Sequence, residues 1–325
     1  MAVSVVVPCY RSAATLPALS ARLHDTLTSA ATEFEVVLVV DGGDLATWAA
    51  AADLERDSPH VRALRLSRNF GQHNALIAGV RAARNDVIVT MDDDLQHRPE
   101  EIPALLAALT DDVDLVYGVA AREEHGVARS LASRMAKATL ERLMGIAGAR
   151  RLSAFRAFRT FLRNGFTQLN GPHACLDVAL SWGTSNIASV TVPMDERTHG
   201  RSNYTVRMLV RHTLNMVFGY STAPLRLVTY LGFLVGFLGL ALLTWTLYLY
   251  FSGGTTVAGF TTVASMVALF SAAQMIAIGV LGEYLGRIHA GGLGLPTYVI
   301  RPPARPDPVP AHAPLPGARR AGKAR

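Results

Sequence analysis

Three consecutive carboxylates, Asp92, Asp93 and Asp94, followed by Leu95 and Gln96, are the residues of this chain best suited to chemistry. Asp92, Asp94 and Gln96 stand at alternate positions, so an extended backbone turns them to one side. Two carboxylates and an amide oxygen are hard donors. A divalent cation such as Mg2+ is commonly held by one or two carboxylates together with phosphate oxygens of a substrate. The run could instead cap a helix, because Pro99 and Glu100 look like a helix start. A cap needs one carboxylate and not three at a strand end, so the metal reading is preferred.

The element that must position them is Asp86 to Met91, a short β-branched run that reads as a buried parallel strand. Ala2 to Pro8, Glu35 to Val40 and Val61 to Leu66 read as strands in the same way, and Asp114 to Gly118 as a further one. Between them, Ser12 to Ser29 carries Leu16, Leu19, Leu23 and Leu27 at helical spacing, and Leu45 to Arg56 and Asn74 to Arg84 complete the alternation. This order predicts an α/β fold with a doubly wound, mostly parallel sheet. Right-handed crossovers bring the strand ends to one edge, where ligands of such sheets bind. Pro8, Asp41, Asn69 and Asp92 therefore converge, and such a cluster can hold a nucleotide.

The usual phosphate loops, G-x-G-x-x-G after the first strand or G-x-x-x-x-G-K-[ST], do not occur. Metal and arginines would have to neutralise a diphosphate, which argues against a nicotinamide enzyme or a P-loop ATPase. His73, His97, His173 and His199 are scattered without metal-ligand spacing, so no zinc site is expected, and His97 is expected beside the acids without ligating directly. Cys9 and Cys175 offer no disulfide framework and fit a reducing compartment, and Cys9 is expected to pack. Val3 to Val7 is too short, and lacks the basic leader, for a signal peptide.

Half of the 325 residues are hydrophobic, and the excess is concentrated. No charged side chain occurs from Leu227 to Gly282. A bilayer core about 30 Å thick needs ~20 apolar residues per helix, so Leu227 to Phe251 and Thr262 to Leu285 are expected to be two membrane spans joined by a turn that begins at Ser252. The net charge of +6 rests on arginine, since Lys137 and Lys323 are the only lysines. Arg201, Arg207, Arg211 and Arg226 precede the hairpin and Arg287, Arg301 and Arg305 come after it, which favours a membrane over nucleic acid and puts both termini on the cytoplasmic side. Ala128 to Met144 and Tyr204 to Phe218 read as basic amphipathic helices at headgroup level, and Pro302 to Arg325 is expected to be disordered.

Taken in order, V-V-V-P-C-Y from Val5, D-G-G from Asp41, R-N-F-G-Q from Arg68, D-D-D-L-Q-H-R-P-E from Asp92, S-A-F-R from Ser153, R-T-H-G-R-S-N-Y from Arg197, P-L-R from Pro224 and G-E-Y-L-G-R-I from Gly282 make the chain similar to the polyprenyl-phosphate glycosyltransferases, the inverting family-2 enzymes akin to dolichol-phosphate mannose synthase. The resemblance runs from Val3 to about Ile300. It implies a GT-A fold, a nucleotide-diphospho-sugar donor, a polyprenyl phosphate acceptor (undecaprenyl or dolichyl) and an inner-membrane enzyme of cell-envelope glycan synthesis; a homo-oligomer is compatible with it. Carried over by position, Pro8, Tyr10 and Asp41 contact the nucleoside, Asp92 lies near ribose and metal, and Asp94 and Gln96 ligate Mg2+ or Mn2+. Arg122, Arg156 and Arg197 face phosphate, and Ser202 and Tyr204 lie near the acceptor. Arg11 and Ser12 stand where the family usually has Asn-Glu, and Asn203 stands where it has Lys, for which Arg201 could substitute.

The expected organisation is a catalytic domain over 1–202, a juxtamembrane helix over 203–226, the hairpin over 227–285 and a tail over 286–325. A phosphate acceptor has a second pKa of about 6 by analogy with phosphoserine, so it is already anionic and needs no strong base. Asp177 is the best candidate base, although a helix cap or a solvated acid is the plainer reading. Two alternatives compete with the transferase reading. A processive polysaccharide synthase would carry Gln-x-x-Arg-Trp, and that motif does not occur; a catalytically silent membrane scaffold of the same fold would not need Asp92, Asp94 and Gln96.

Overall fold

In the computed structural model, residues 1–120, 153–167, 171, 174–195, 221–252 and 259–302 are described. The elements are β1 (Ala2–Cys9), α1 (Leu16–Ala30), β2 (Glu33–Val40), α2 (Leu45–Asp57), β3 (Val61–Arg65), α3 (Gln72–Ala82), β4 (Val87–Thr90), α4 (Ile102–Ala108), β5 (Leu115–Ala120), β6 (Arg156–Arg159), α5 (Leu176–Gly183), β7 (Ile187–Val192), α6 (Ala223–Phe251) and α7 (Phe260–Gly292). Short 3-10 turns over Pro99–Glu101 and Thr160–Phe166 precede α4 and succeed β6.

The described strands form one sheet in the order β3-β2-β1-β4-β6-β5-β7. All neighbours are parallel except β6, which runs antiparallel between β4 and β5. The central strands are buried on both faces, as parallel strands between helices must be: seven of the eight residues of β1 and of β2 are buried. One face, with Val3, Val5, Val36 and Leu38, packs against α1 and α4. The other, with Val6, Val37, Val39 and Ile88, packs against α3 and α5. The four leucines at helical spacing in α1 are its buried stripe.

One polar cluster sets the register of the first three strands. The Glu35 carboxylate accepts hydrogen bonds from Ser4 Oγ (2.7 Å), Arg62 Nη1 (2.8 Å) and the Arg84 amide (2.7 Å). Burial pushes this carboxyl up, and the bonds from Arg62, Ser4 and Arg84 together bring it below its ordinary value.

The expected strands and helices of the first 120 residues are present with shifted ends, and the apolar helices are longer than expected. Ala223 starts α6 because its amide donates to Ser221 Oγ (3.1 Å) and Pro224 suits a first turn, so residues 223–226, expected in the juxtamembrane segment, already belong to the first apolar helix. Helix α7 runs to Gly292, since Glu283 and Arg287 pair along its surface and carry it past the apolar stretch. The two amphipathic helices and most of the tail lie outside the described residues. Strands β6 and β7 carried no clear signal: β6 has four residues, and β7 lies at the sheet edge with mixed burial.

Helix α3 approaches β1 so closely that a Cβ on Gly79 would stand 2.3 Å from Val6 Cγ1. Gly79→Ala would gain ~1 kcal/mol of helix propensity, against an overpacking cost of about 1–3 kcal/mol. The variant should melt below wild type in detergent solution, and adding Val6→Ala should restore part of the loss.

Candidate active site

Strands β1, β2 and β4 deliver their carboxyl ends side by side, because β1 pairs in register with both neighbours (Cys9 with Val40, Val6 with Thr90). Tyr10, Asp41 and Asp92 thus leave the sheet along one edge, as the strand order requires.

The three aspartates are then separated in direction. The Asp93 carboxylate turns toward β1 and accepts the Tyr10 amide (3.0 Å). Burial raises the Asp93 carboxyl, and the charges of Asp92 and Asp94 add to the rise. Asp92 Oδ1 accepts from Gln72 Nε2 at the start of α3 (2.7 Å), and Asp94 Oδ1 accepts the Gln96 amide (3.1 Å). Leu95 adopts φ 62°, a left-handed turn that a branched side chain takes only under constraint. The constraint comes from both sides. The Asp92 amide donates to His97 Nδ1 (3.2 Å), and the Gln96 carbonyl accepts the Asp195 amide (2.9 Å) while Arg98 pairs with the Asp195 side chain.

Because His97 Nδ1 accepts, its ring is neutral. Burial lowers its pKa to about 4, with Asp94 opposing and Arg156 assisting, and the ring stacks on Phe155 at 5.3 Å. His97 therefore supports the acid loop through its backbone.

Asp41 is 4% exposed. Its two oxygens accept the amides of Phe70 (2.7 Å) and Gly71 (2.8 Å), tying the β3–α3 loop to the end of β2. Burial raises this carboxyl and the two amides oppose the rise. Gly42 has φ 100°, and a Cβ there would lie 2.8 Å from the Asn69 nitrogen, so only glycine lets the loops meet. Asn69 Oδ1 also accepts the Gly71 amide (3.1 Å). Tyr10 remains half exposed with the Arg11 guanidinium over its ring at 5.3 Å, and Arg11 has φ 55°.

Arg156 lies one strand from the acids, paired with Thr90 across β4 and β6. Its side chain is 1% exposed. Nε donates to Thr90 Oγ1 (3.0 Å), Nη1 pairs with Asp177 and the guanidinium stands 5.9 Å from the Tyr117 ring. Asp177, in the first turn of α5, is thus neither a solvated acid nor a simple cap; it answers a buried charge that the sequence could not pair with it. The fold also gathers His73, Cys175 and Asp177 within 4.8 Å, a group absent from any spacing in the sequence. Asp177 is engaged by Arg156 and burial pushes the Cys175 thiol up to about 12, so this trio reads as packing around Arg156. Cys9 is fully buried, with Sγ 3.3 Å from the Val7 carbonyl.

Of the residues expected at the site, Pro8, Tyr10, Asp41, Asn69, Asp92, Asp94 and Gln96 stand at the one edge, Pro8 within β1 and the rest on the loops beyond the strand ends. Arg122, Arg197, Ser202 and Tyr204 lie outside the described residues. Gln72, at the end of the R-N-F-G-Q run, gains a role that its motif could have suggested; the Arg98–Asp195 pair, 97 positions apart, had no local signal. The half-buried donor set of Asp92, Asp94 and Gln96 is all oxygen and carries two negative charges, which fits a hard divalent cation and not a soft one.

Residues 4–175 match the family Glycosyl transferase family 2. An undecaprenyl-phosphate 4-deoxy-4-formamido-L-arabinose transferase of Pseudomonas aeruginosa is 32% identical over 310 residues, covering 94% of this chain and 91% of its own. The protein of the same name from Sodalis glossinidius is 31% identical over 302 residues, covering 92% and 93%. Among solved structures, glucosyl-3-phosphoglycerate synthase from Mycobacterium tuberculosis, in complex with Mn2+, UDP and glucosyl-3-phosphoglycerate, superposes with a TM-score of 0.50 at 19% identity, over 66% of this chain and 78% of that one. That likeness supports the GT-A fold. Sheet, acid edge and near full-length kinship agree: the chain belongs to glycosyl transferase family 2 and, within it, to the polyprenyl-phosphate glycosyltransferases.

Proposed function

We propose that this protein transfers a sugar, with inversion, from a nucleotide-diphospho-sugar to undecaprenyl phosphate or a similar polyprenyl phosphate at the cytoplasmic face of a membrane. The observation that carries the reading is the placement of Asp92, Asp94 and Gln96 at the carboxyl edge of β4, beside the Asp41-held loop, in a chain that ends in two long apolar helices. Both helices are long and apolar enough to cross a membrane. The two helices meet at their base, where Tyr284 Oη of α7 donates to the Ser221 carbonyl just before α6.

In this reading Asp92, Asp94 and Gln96 hold Mg2+ or Mn2+, which would screen the diphosphate and stabilise charge on the leaving group. Tyr10 offers a half-exposed ring just past the end of β1 for the nucleoside, and Pro8 is buried within that strand. Asp41 and Asn69 act by holding the loop that closes this side. Arg122, Arg197, Ser202 and Tyr204 supply the remaining contacts to phosphate and acceptor. The acceptor phosphate is its own nucleophile, so the protein's work is alignment and the screening of two anions. Arg156, closed off by Asp177, contributes by holding β6 and α5 against β4.

Three outcomes test this. Membranes containing the protein, offered labelled UDP-, GDP- and dTDP-sugars with undecaprenyl phosphate, should form one labelled lipid, and EDTA should stop its formation; a silent scaffold gives no product in any arm. Asp94→Asn should lower transfer by roughly 100-fold or more while leaving the melting temperature near wild type, as loss of a metal ligand and its transition-state charge screening implies. Asp177→Ala should instead lower stability by about 3–5 kcal/mol, because it strands a buried guanidinium. Normal melting with abolished transfer would make Asp177 the general base after all.

A further inference from the structure

The sheet has an open flank at β3, and the chain covers it from an unexpected direction. After α7 the backbone turns at Gly294 (φ 62°) and runs back along β3. The Ser67 amide donates to the Val299 carbonyl (2.8 Å), and the Arg301 amide donates to the Arg65 carbonyl (2.7 Å). Leu66 and Ile300 face each other as an antiparallel bridge between these bonds. The contact is more than an edge pairing. Thr297 is 3% exposed, and Tyr298 packs onto the core cluster that holds Leu66, Leu76 and Ile77, with the Arg81 guanidinium 5.7 Å from its ring.

The loop at the carboxyl end of β3 leads from this contact to the site. Ser67 opens the loop whose Phe70 and Gly71 amides bind Asp41 and whose Asn69 meets Gly42. The next residue, Gln72, donates to Asp92. A continuous set of backbone and side-chain bonds therefore runs from the exit of the second apolar helix, through the loop, to the first carboxylate of the acid cluster. Arg68, stacked on Phe70 at 4.4 Å, stiffens the loop between its two anchors.

We propose that Thr297–Arg301 is a positioning strap: by adding a short antiparallel strand to β3 it holds loop 67–71 in place and couples the apolar hairpin to the nucleotide edge of the catalytic domain. The strap acts through the loop and touches no reacting group. Its effect on donor binding rests on the reading of this edge as the donor site, whereas its hold on the loop does not.

The test uses the full-length protein in detergent or nanodiscs. Arg301→Pro removes the amide that bonds Arg65, Tyr298→Ala removes the ring beside Arg81, and Arg301→Ala keeps the backbone bond as a control. Amide exchange should rise at residues 66–71 in the first two variants and stay at the wild-type level in the control, with α1 and β1 unchanged in all. UDP, GDP and dTDP are then titrated with Mn2+. The nucleotide that wild type binds should bind roughly tenfold more weakly to Arg301→Pro, the scale of one lost ordering contact, with the KM for the lipid acceptor unchanged. Unchanged exchange in both strap variants overturns the proposal, and so does raised exchange with unaltered nucleotide affinity. Failure of wild type to bind any of the three nucleotides would instead sink the donor-site reading, and the exchange measurement would still decide whether the strap holds the loop.

Discussion

Three adjacent carboxylates at one strand end repel each other, and the site depends on how that repulsion is managed. Stacked in one direction they would raise each other's pKa still further than the rise already seen at Asp93. The chain gives each its own donor: Asp93 the Tyr10 amide, Asp92 the Gln72 side chain, Asp94 the Gln96 amide. The left-handed turn at Leu95 makes this splay possible, and the bonds around His97 and Asp195 hold it. The donors come from the loop after β1, from α3 and from the acid loop itself, so the acids stand in this arrangement only when the surrounding elements are assembled.

The second ionic centre obeys the opposite logic. Arg156 and Asp177 are withdrawn from water, where an unpaired charge would be far more costly than at the acid edge. Such a pair is weak evidence for net stability, yet it specifies how β6, the antiparallel insertion, seats between β4 and β5 and how α5 crosses it. One edge keeps its charges partly open to solvent. The neighbouring centre hides its charges to hold the scaffold.

The apolar helices present large side chains outward, among them Leu227, Phe233, Phe237, Ile276 and Leu285. A soluble surface rarely carries such a continuous face, and both helices are long and apolar enough to cross a membrane. The hairpin is not an appendage joined by one linker. Tyr284 closes its base on Ser221, and the segment beyond α7 bonds the end of β3 at Arg65 and Ser67, so the catalytic domain is also held from the far end of the helix pair.

Periodicity and local chemistry made the first half of the fold legible: apolar runs for β1 to β4, leucine spacing for α1, and a charge-free stretch for the apolar hairpin. Topology then dictated that Pro8, Asp41, Asn69 and Asp92 share an edge, because parallel strands with right-handed crossovers must end together. The run of short motifs already pointed to the family. Only the tertiary structure decided that Asp41 binds a loop through both oxygens, that Arg156 is closed off by Asp177, and that the chain beyond α7 returns to β3. The physical reason is common to all three. Each is a pairing between residues far apart in the chain, chosen by burial and by the demand that a buried donor or charge find a partner, and neither quantity is visible in a linear pattern.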